Sequence, residues 1–249
     1  MPDQPTVVVT GASAGIGLAV LEGLMEEAFV IAISRTSPPV SISNGHWIEG
    51  DLCIPESVVA GVLALLSAQD RTLDGLIHCA ASYGAPRRHT LVETTDKEWD
   101  ELMSVNVRSQ FILTVRLLPL LLERPKGFIV CLTSDAATQP APQRIAYGCS
   151  KAASYALFAG LAVELAESSV SVIQMMPATQ VATRGIRRRR PPGFSFAGYS
   201  SPDIFKKPIK AILASRGVGM SGACLVIGES DGIQAGDQSS ERATRNPLV

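Results

Sequence analysis

Residues 6–17 read TVVVTGASAGIG, an apolar strand running straight into a glycine-rich turn and a helix. Gly11 permits a tight turn, and the spacing Gly11, Gly15, Gly17 lets backbone come close to a pyrophosphate that side chains would block. A helix opening near Gly15 aims its free N–H groups and the positive end of its dipole at those phosphates. Three glycines alone also fit an ordinary strand-to-helix turn. Here Leu18, Val20, Leu21 and Leu24 repeat at helical spacing behind them and supply the strand–turn–helix context that a dinucleotide site demands.

The rest of the 249 residues extends this unit. Phe29–Ser34 reads as a second, buried strand, Trp47–Leu52 holds a short third one, and Leu73–Cys79, Phe128–Leu132, Val170–Met176 and Ala223–Ile227 read as strands. Helical patterns cover Pro55–Ala68, Asp96–Leu122, Tyr147–Ala166 and Pro202–Ser215. Such alternation predicts right-handed crossovers and an α/β fold: a doubly wound, Rossmann-type parallel sheet of about seven strands between two helix layers, with ligands at its carboxyl edge. We expect one domain over residues 1–230, with two segments outside the pattern, 183–201 (Arg-, Pro- and Gly-rich) and the polar tail 231–249. Both read as mobile.

Composition narrows the functional classes. The formal net charge of -1 gives no basic field for nucleic acid. A hydrophobic fraction of 46% suits strands covered on both faces. Charge interrupts the apolar stretches, as Arg116 does between Phe111 and Leu122, so no membrane span is expected. The N-terminal MPDQP lacks the features of a signal peptide, which points to the cytoplasm. Cys53, Cys79, Cys131, Cys149 and Cys224 are scattered without C-x-x-C pairs and read as reduced thiols rather than metal ligands.

Tyr147 and Lys151, in Y-G-C-S-K, stand four residues apart and share a helix face. A cation there favours phenolate and makes the phenol a usable proton donor. Ser134 follows the fifth strand at the expected ligand edge. Asn106 sits mid-helix in S-V-N-V-R, an odd place for an amide that competes with helical hydrogen bonds. His78 ends an apolar strand and reads as a packed, hydrogen-bonded support rather than a catalyst.

Taken together, TGASAGIG, Asp51-Leu52, Asn106, Ser134, Y-G-C-S-K and the strand ending Met175-Met176-Pro177 resemble the short-chain dehydrogenase/reductase family, over about Thr6 to Ile227. The resemblance implies that Tyr147 exchanges the proton of the reacting oxygen and that Ser134 hydrogen-bonds that oxygen. Lys151 would bind the nicotinamide ribose, and Asn106 would hold a water relay. It places cofactor contacts at Thr10, Gly11, Ser13, Gly15, Ile16, Gly17, Arg35, Asp51, Leu52, Ala80, Tyr147, Lys151 and Pro177, with Asp51 taking the adenine amine. It also implies self-association as a homodimer or homotetramer through the long helices carrying Asn106 and Tyr147. A helix apolar on several faces, with Val105, Val107, Phe111, Ile112, Leu113 and Val115, agrees with that, as does burial inside the monomer.

The second strand ends in Ser34-Arg35 instead of an acidic residue, which favours NADP(H) over NAD(H), because a guanidinium suits a 2′-phosphate. Two turns depart from the family. His78-Cys79-Ala80-Ala81 stands for Asn-Asn-Ala-Gly, and Pro177-Ala178 for Pro-Gly. Alanine disfavours positive φ, so the loops there are expected to differ or the nucleotide to bind more weakly.

Arg184 and the run Arg187–Arg190 fall in the family's variable substrate lid, 183–201. A charge run usually repels itself into solvent, and that is the expectation here. If ordered, the guanidiniums would grip a carboxylate or phosphoester. Phe194, Phe196 and Tyr199 would either line an apolar pocket or pack the lid down. The resulting expectation is an NADP(H)-dependent oxidoreductase that interconverts a carbonyl and a secondary alcohol. Its substrate would be a small molecule, with an anionic one as the special case, and neither nucleic acid nor membrane is an expected partner. The alternatives are a 3-oxoacyl-thioester reductase and a non-catalytic NADP(H) sensor.

Overall fold

The computed structural model describes residues 4–229 and 234–235. Seven parallel strands run β1 Thr6–Thr10, β2 Phe29–Ser34, β3 Gly45–Glu49, β4 Gly75–His78, β5 Gly127–Leu132, β6 Val170–Pro177 and β7 Cys224–Ile227. A two-residue strand, β8 Gln234–Ala235, pairs antiparallel with β7 and adds an eighth strand to the seven expected. It belongs to the 231–249 tail, whose remaining residues lie outside those described. The spatial order is β3-β2-β1-β4-β5-β6-β7-β8. Chain direction across the sheet therefore reverses between β1 and β4, and a crevice opens at their carboxyl ends.

Side-chain alternation along each strand serves two cores. Val7 and Val9 face one layer with Val20, Leu21 and Leu24 of α1 (Gly15–Leu24) and with Ile209, Ile212 and Leu213 of α7 (Lys206–Ser215). Val8 faces the other layer, formed by α2 (Pro55–Ala68), α4 (Ser109–Leu122) and α5 (Ile145–Glu164). Both faces are thus dry, which is why the strands read as continuous apolar runs.

Three expectations change. The third strand ends at Glu49 instead of Leu52. Gly50 explains this: a Cβ there would lie 2.7 Å from Val58 Cγ2, so the chain turns where α2 packs close. The helix expected over Asp96–Leu122 is α3 (Asp96–Met103), a π turn at Ser104–Arg108 and α4. Ser109 N–H closes the turn on Ser104 O, five residues back, as in a π-bulge. Finally, the continuous helical stretch 96–122 is long and apolar enough to span a membrane by length and composition, with 18 consecutive residues of mean hydropathy 1.3 within it. It instead lies on the sheet, with Leu113, Leu117 and Leu121 fully buried.

Candidate active site

The turn after β1 is shaped as a phosphate cradle. Gly11 and Gly15 have φ of +72° and +59°, backbone that other residues rarely adopt. A Cβ at Gly17 would collide with the Gly11 carbonyl, and one at Gly11 would sit 2.8 Å from Ala80 Cα. Ala14, the N-cap of α1, offers no side-chain acceptor, and the first turn holds no acid. The opening N–H groups of α1 are thereby left for an external anion. This cradle is one end of a cavity of about 520 Å³ that Gly11, Ser13, Gly15, Ile16 and Gly17 line from one side. Arg35, Asp51, Leu52 and Ala80 line it elsewhere, so nine of the expected nucleotide contacts meet in one space. A nicotinamide dinucleotide fits the donors and the glycine gaps found there.

Thr10 departs from its expected role. Its hydroxyl accepts the Cys79 and Ala80 N–H groups, both at 3.2 Å, and is buried away from the cavity. It pins β1 to the loop after β4 and shapes the site without lining it. Asp51 Oδ1 accepts Cys53 N–H at 2.9 Å, a turn contact, while the residue also borders the cavity. The altered turns are unstrained, since neither Ala81 nor Ala178 has positive φ.

A smaller chamber of about 110 Å³ adjoins the cavity through the shared residues Ile16, Cys79 and Ala81, and it gathers Ser134, Tyr147, Lys151 and Pro177. Ser134 comes from the end of β5, and Tyr147 and Lys151 from the inward face of α5. Lys151 is buried and donates to the Leu132 carbonyl at 2.6 Å. Ser134 Oγ donates to Asp135 Oδ1 at 2.7 Å and accepts Ala136 N–H at 3.3 Å. Thr133 Oγ1, in the same wall, is buried without a partner among the described residues, an acceptor and donor open to a ligand. Burial pushes the Tyr147 phenol above its ordinary pKa. A hydrogen bond with Ser134 and the charge of Arg144 pull it back. Arg144, three residues earlier, thus adds a second cation beside the phenol to the Lys151 expected from the sequence.

Asn106 lines neither space. Its Oδ1 accepts Ser82 N–H at 2.7 Å, and its Nδ2 donates to Ser82 O and to Ser150 Oγ, each at 2.9 Å. The π turn delivers this amide to the loop after β4, and the side chain spends one N–H there and the other on α5. Ser150 Oγ in turn donates to the Tyr147 carbonyl at 2.7 Å, so the amide links the Ser82 loop to the helix bearing Tyr147.

His78 is a buried support. Its Nε2 lies 3.0 Å from Thr114 Oγ1, and burial lowers its pKa to about 3, with Lys151 adding to the effect. The unfolded imidazole protonates near its ordinary 6.5 and the folded one only near 3. Stability from this group is therefore present above pH 6.5 and lost as pH falls through that window. In urea titrations across it, His78→Gln should show a flatter acid limb than the wild type. An unchanged slope would assign acid sensitivity elsewhere.

The sequence reading missed three features. Tyr83 stacks on Tyr147, with ring centroids 5.2 Å apart and an interplanar angle of 18°. Arg144 stands over the same ring at 5.3 Å from its centroid. The arginine run, expected as a solvated mobile segment, is folded. Thr183 caps the short α6 (Arg184–Arg187), and Val181 bridges Ser200. Phe194, Phe196 and Tyr199 pack edge to face. Arg187 lies over Phe196 and Arg190 over Phe194, which offsets the repulsion between like charges. The aromatics thus pack the segment down rather than line a pocket. Arg184 and Arg188 border the large cavity and Arg190 a separate chamber, while Arg189 borders both.

The strand reversal, the glycine cradle and the Ser134–Tyr147–Lys151 chamber define a dinucleotide-binding α/β fold with a polar chamber beside the cradle. The chain belongs to the short chain dehydrogenase family, whose model matches residues 5–191. Dehydrogenase RED2 of Cochliobolus heterostrophus is 33% identical over 166 residues, covering 65% of this chain and 61% of the relative. The chain thus spans less than two thirds of that relative's length. A solved 4-hydroxyisoleucine dehydrogenase complexed with NADH superposes with a TM-score of 0.76 at 22% identity, over 90% of this chain and 96% of its own. A short chain dehydrogenase from Burkholderia cenocepacia in complex with NADP gives 0.76 at 23%, over 91% and 98%. At these identities the structures establish the fold.

Proposed function

We propose that the protein is an oxidoreductase that interconverts a carbonyl and a secondary alcohol with NADP(H), Tyr147 carrying the proton. The observation that carries this reading is the convergence of Ser134, Tyr147 and Lys151 on one chamber beside the glycine cradle. The bound nicotinamide supplies or takes the hydride, chemistry that no side chain provides. Burial keeps the Tyr147 phenol protonated at neutral pH, so it enters reduction as the donor to the substrate oxygen. Ser134 steadies that oxygen by turning its hydroxyl proton from Asp135 toward it. Lys151, anchored through one N–H on Leu132 O, offers its remaining protons to a ribose hydroxyl. Asn106 acts through Ser82 and Ser150 as a positioning residue, and its side chain is already committed to them. NADPH mixed with a panel of aldehydes, ketones and 3-oxoacyl thioesters should lose nicotinamide absorbance. A chain that binds nucleotide yet turns over none of them refutes the reading.

NADP(H) is preferred on the strength of Arg35, exposed at the cavity wall where an acid would otherwise meet the ribose. Arg184 and Arg188 add positive charge to the same space. Arg35→Asp should weaken NADPH binding by tenfold or more while sparing NADH, the worth of about one charge-assisted contact. Equal losses for both nucleotides in titration calorimetry would remove Arg35 from that role.

Self-association through α4 and α5 is part of the proposal. Phe111, Val115 and Leu122 leave a 44–47% exposed apolar stripe on α4, and Val163 on α5 is 78% exposed, so burial inside the monomer does not account for them. Light scattering that returns a monomer mass would overturn it.

A further inference from the structure

We propose that the chamber on the far side of Tyr147 receives a small carbonyl substrate bearing an oxyanion, carboxylate or phosphate, gripped by Arg88, Arg144 and Arg190. This rests on the reading of Tyr147 as proton donor and adds to it the class of molecule delivered there. The chamber measures about 320 Å³, the small end of ligand pockets, and Tyr147 forms part of its wall.

Its charge is lopsided. Arg87, Arg88, Arg144, Arg189 and Arg190 border it against one acid, Glu98. Glu98 is already committed: Oε1 accepts Ala85 N–H at 2.8 Å, and Oε2 meets His89 Nε2 at 2.9 Å. Arg189 is largely occupied, donating to the carbonyls of Gly84 at 3.0 Å and Gly185 at 3.2 Å, with only its Nε unpartnered among the described residues.

Of the remaining four, Arg87 acts on the Glu93 carboxylate, and Arg88, Arg144 and Arg190 lack a close anionic partner among the described residues. Arg144 approaches Asp135 only at 3.9 Å, while that carboxylate takes the Ser134 hydroxyl and Ala136 N–H at 2.7 and 2.8 Å. Arg190 donates to the Tyr199 hydroxyl at 2.8 Å, and its Nε is buried without a partner among the described residues. Arg88, exposed at the rim, forms no ion pair among the described residues, and its pKa is lowered by partial desolvation and then by the charges of Arg144 and Arg190. The three guanidiniums thus feel one another across the chamber. Proteins seldom hold like charges together beside a cavity unless an opposite charge completes the set, and planar guanidinium forks match carboxylate and phosphate oxygens.

The backbone supports the aim of Arg144. Gln143, just before it, sits at φ +60°, a left-handed conformation uncommon outside glycine, at the wall of the chamber. Arg144 is then the N-cap of α5, which places its guanidinium over the Tyr147 ring. The anion and the reacting carbonyl are accordingly a few bonds apart.

The test uses the full chain, saturating NADPH and matched pairs of substrates: short oxo acids against their methyl esters, and phosphorylated hydroxyketones against the free hydroxyketones. The charged member of one pair should win in kcat/KM by about tenfold to a hundredfold, the worth of charge-assisted hydrogen bonds. Which pair shows the preference separates carboxylate from phosphate. Arg190→Gln should erase it by raising KM for the anion while sparing the neutral partner, and Arg144→Gln, which also alters the surroundings of Tyr147, should lower the charged-to-neutral ratio of kcat/KM whatever it does to the absolute rates. In parallel, oxalate and inorganic phosphate are added to protein saturated with NADP+, which occupies the large cavity. One of them should raise the melting temperature of the wild type and not of the Arg88→Gln/Arg144→Gln/Arg190→Gln variant. Turnover with equal rates for charged and neutral members overturns this inference and leaves the proposed function standing. No turnover of any carbonyl refutes the proposed function, and the melting shifts still decide whether the chamber binds anions.

Discussion

Tyr147→Phe is expected to cut kcat by about a hundredfold to ten-thousandfold, the usual contribution of a positioned general acid, while nucleotide still binds. The substitution removes one oxygen and little else. The ring that stacks on Tyr83 and lies under Arg144 remains, as do Ser134 and Lys151 around it. Fluorescence titration should give an unchanged Kd for NADPH beside the collapsed rate. A variant that keeps the wild-type rate would mean that the proton comes from somewhere else, and the proposed chemistry would fall with it.

The largest structural effect is expected at Asn106. Leucine there strands Ser82 N–H and Ser82 C=O and takes away the hydrogen bond that the Ser150 hydroxyl accepts, each of them now made within 3 Å. Leaving a buried polar group unpaired costs about 1–3 kcal/mol, so the loss should reach several kcal/mol and lower the melting temperature by roughly 10 °C in a chain of this size. Ser150 also anchors α5 at Tyr147 O, so kcat should fall alongside stability. Asn106→Asp keeps the acceptor for Ser82 N–H and should lose less on both counts. A leucine variant that melts with the wild type would show that the amide is not the clasp described above.

Much of the fold was legible because its signals are local. The run from Thr6 to Gly17 carries strand, turn and helix in consecutive residues, and buried parallel strands announce themselves as apolar runs. Tyr147, Lys151 and Ser134 could be placed because a helical period or a strand end fixes where each side chain points. What stayed hidden depends on partners distant in sequence. Tyr83 comes from a loop whose path is set by Thr10 and Asn106, and its stacking on Tyr147 leaves no periodic trace. The arginine run looked like a solvated stretch because its neutralising surfaces, the rings of Phe194 and Phe196, lie several residues further on. Cation–π contacts of that kind are invisible to a count of charges. The odd position of Asn106 was visible, but the remedy was not, since no residue preference marks a five-residue hydrogen-bond step.

That step at Ser104–Arg108 also sets the phase of everything after it. One surplus residue in a helix turns the following side chains by about 100° around the axis. Downstream, Leu113, Leu117 and Leu121 meet the sheet while Phe111, Val115 and Leu122 look outward. Deleting a single residue from the bulge would rotate leucines off the sheet as well as withdraw the amide from Ser82. Seating of the helix and clasping of the loop hang on the same extra link, so evolution cannot trim one without unseating the other.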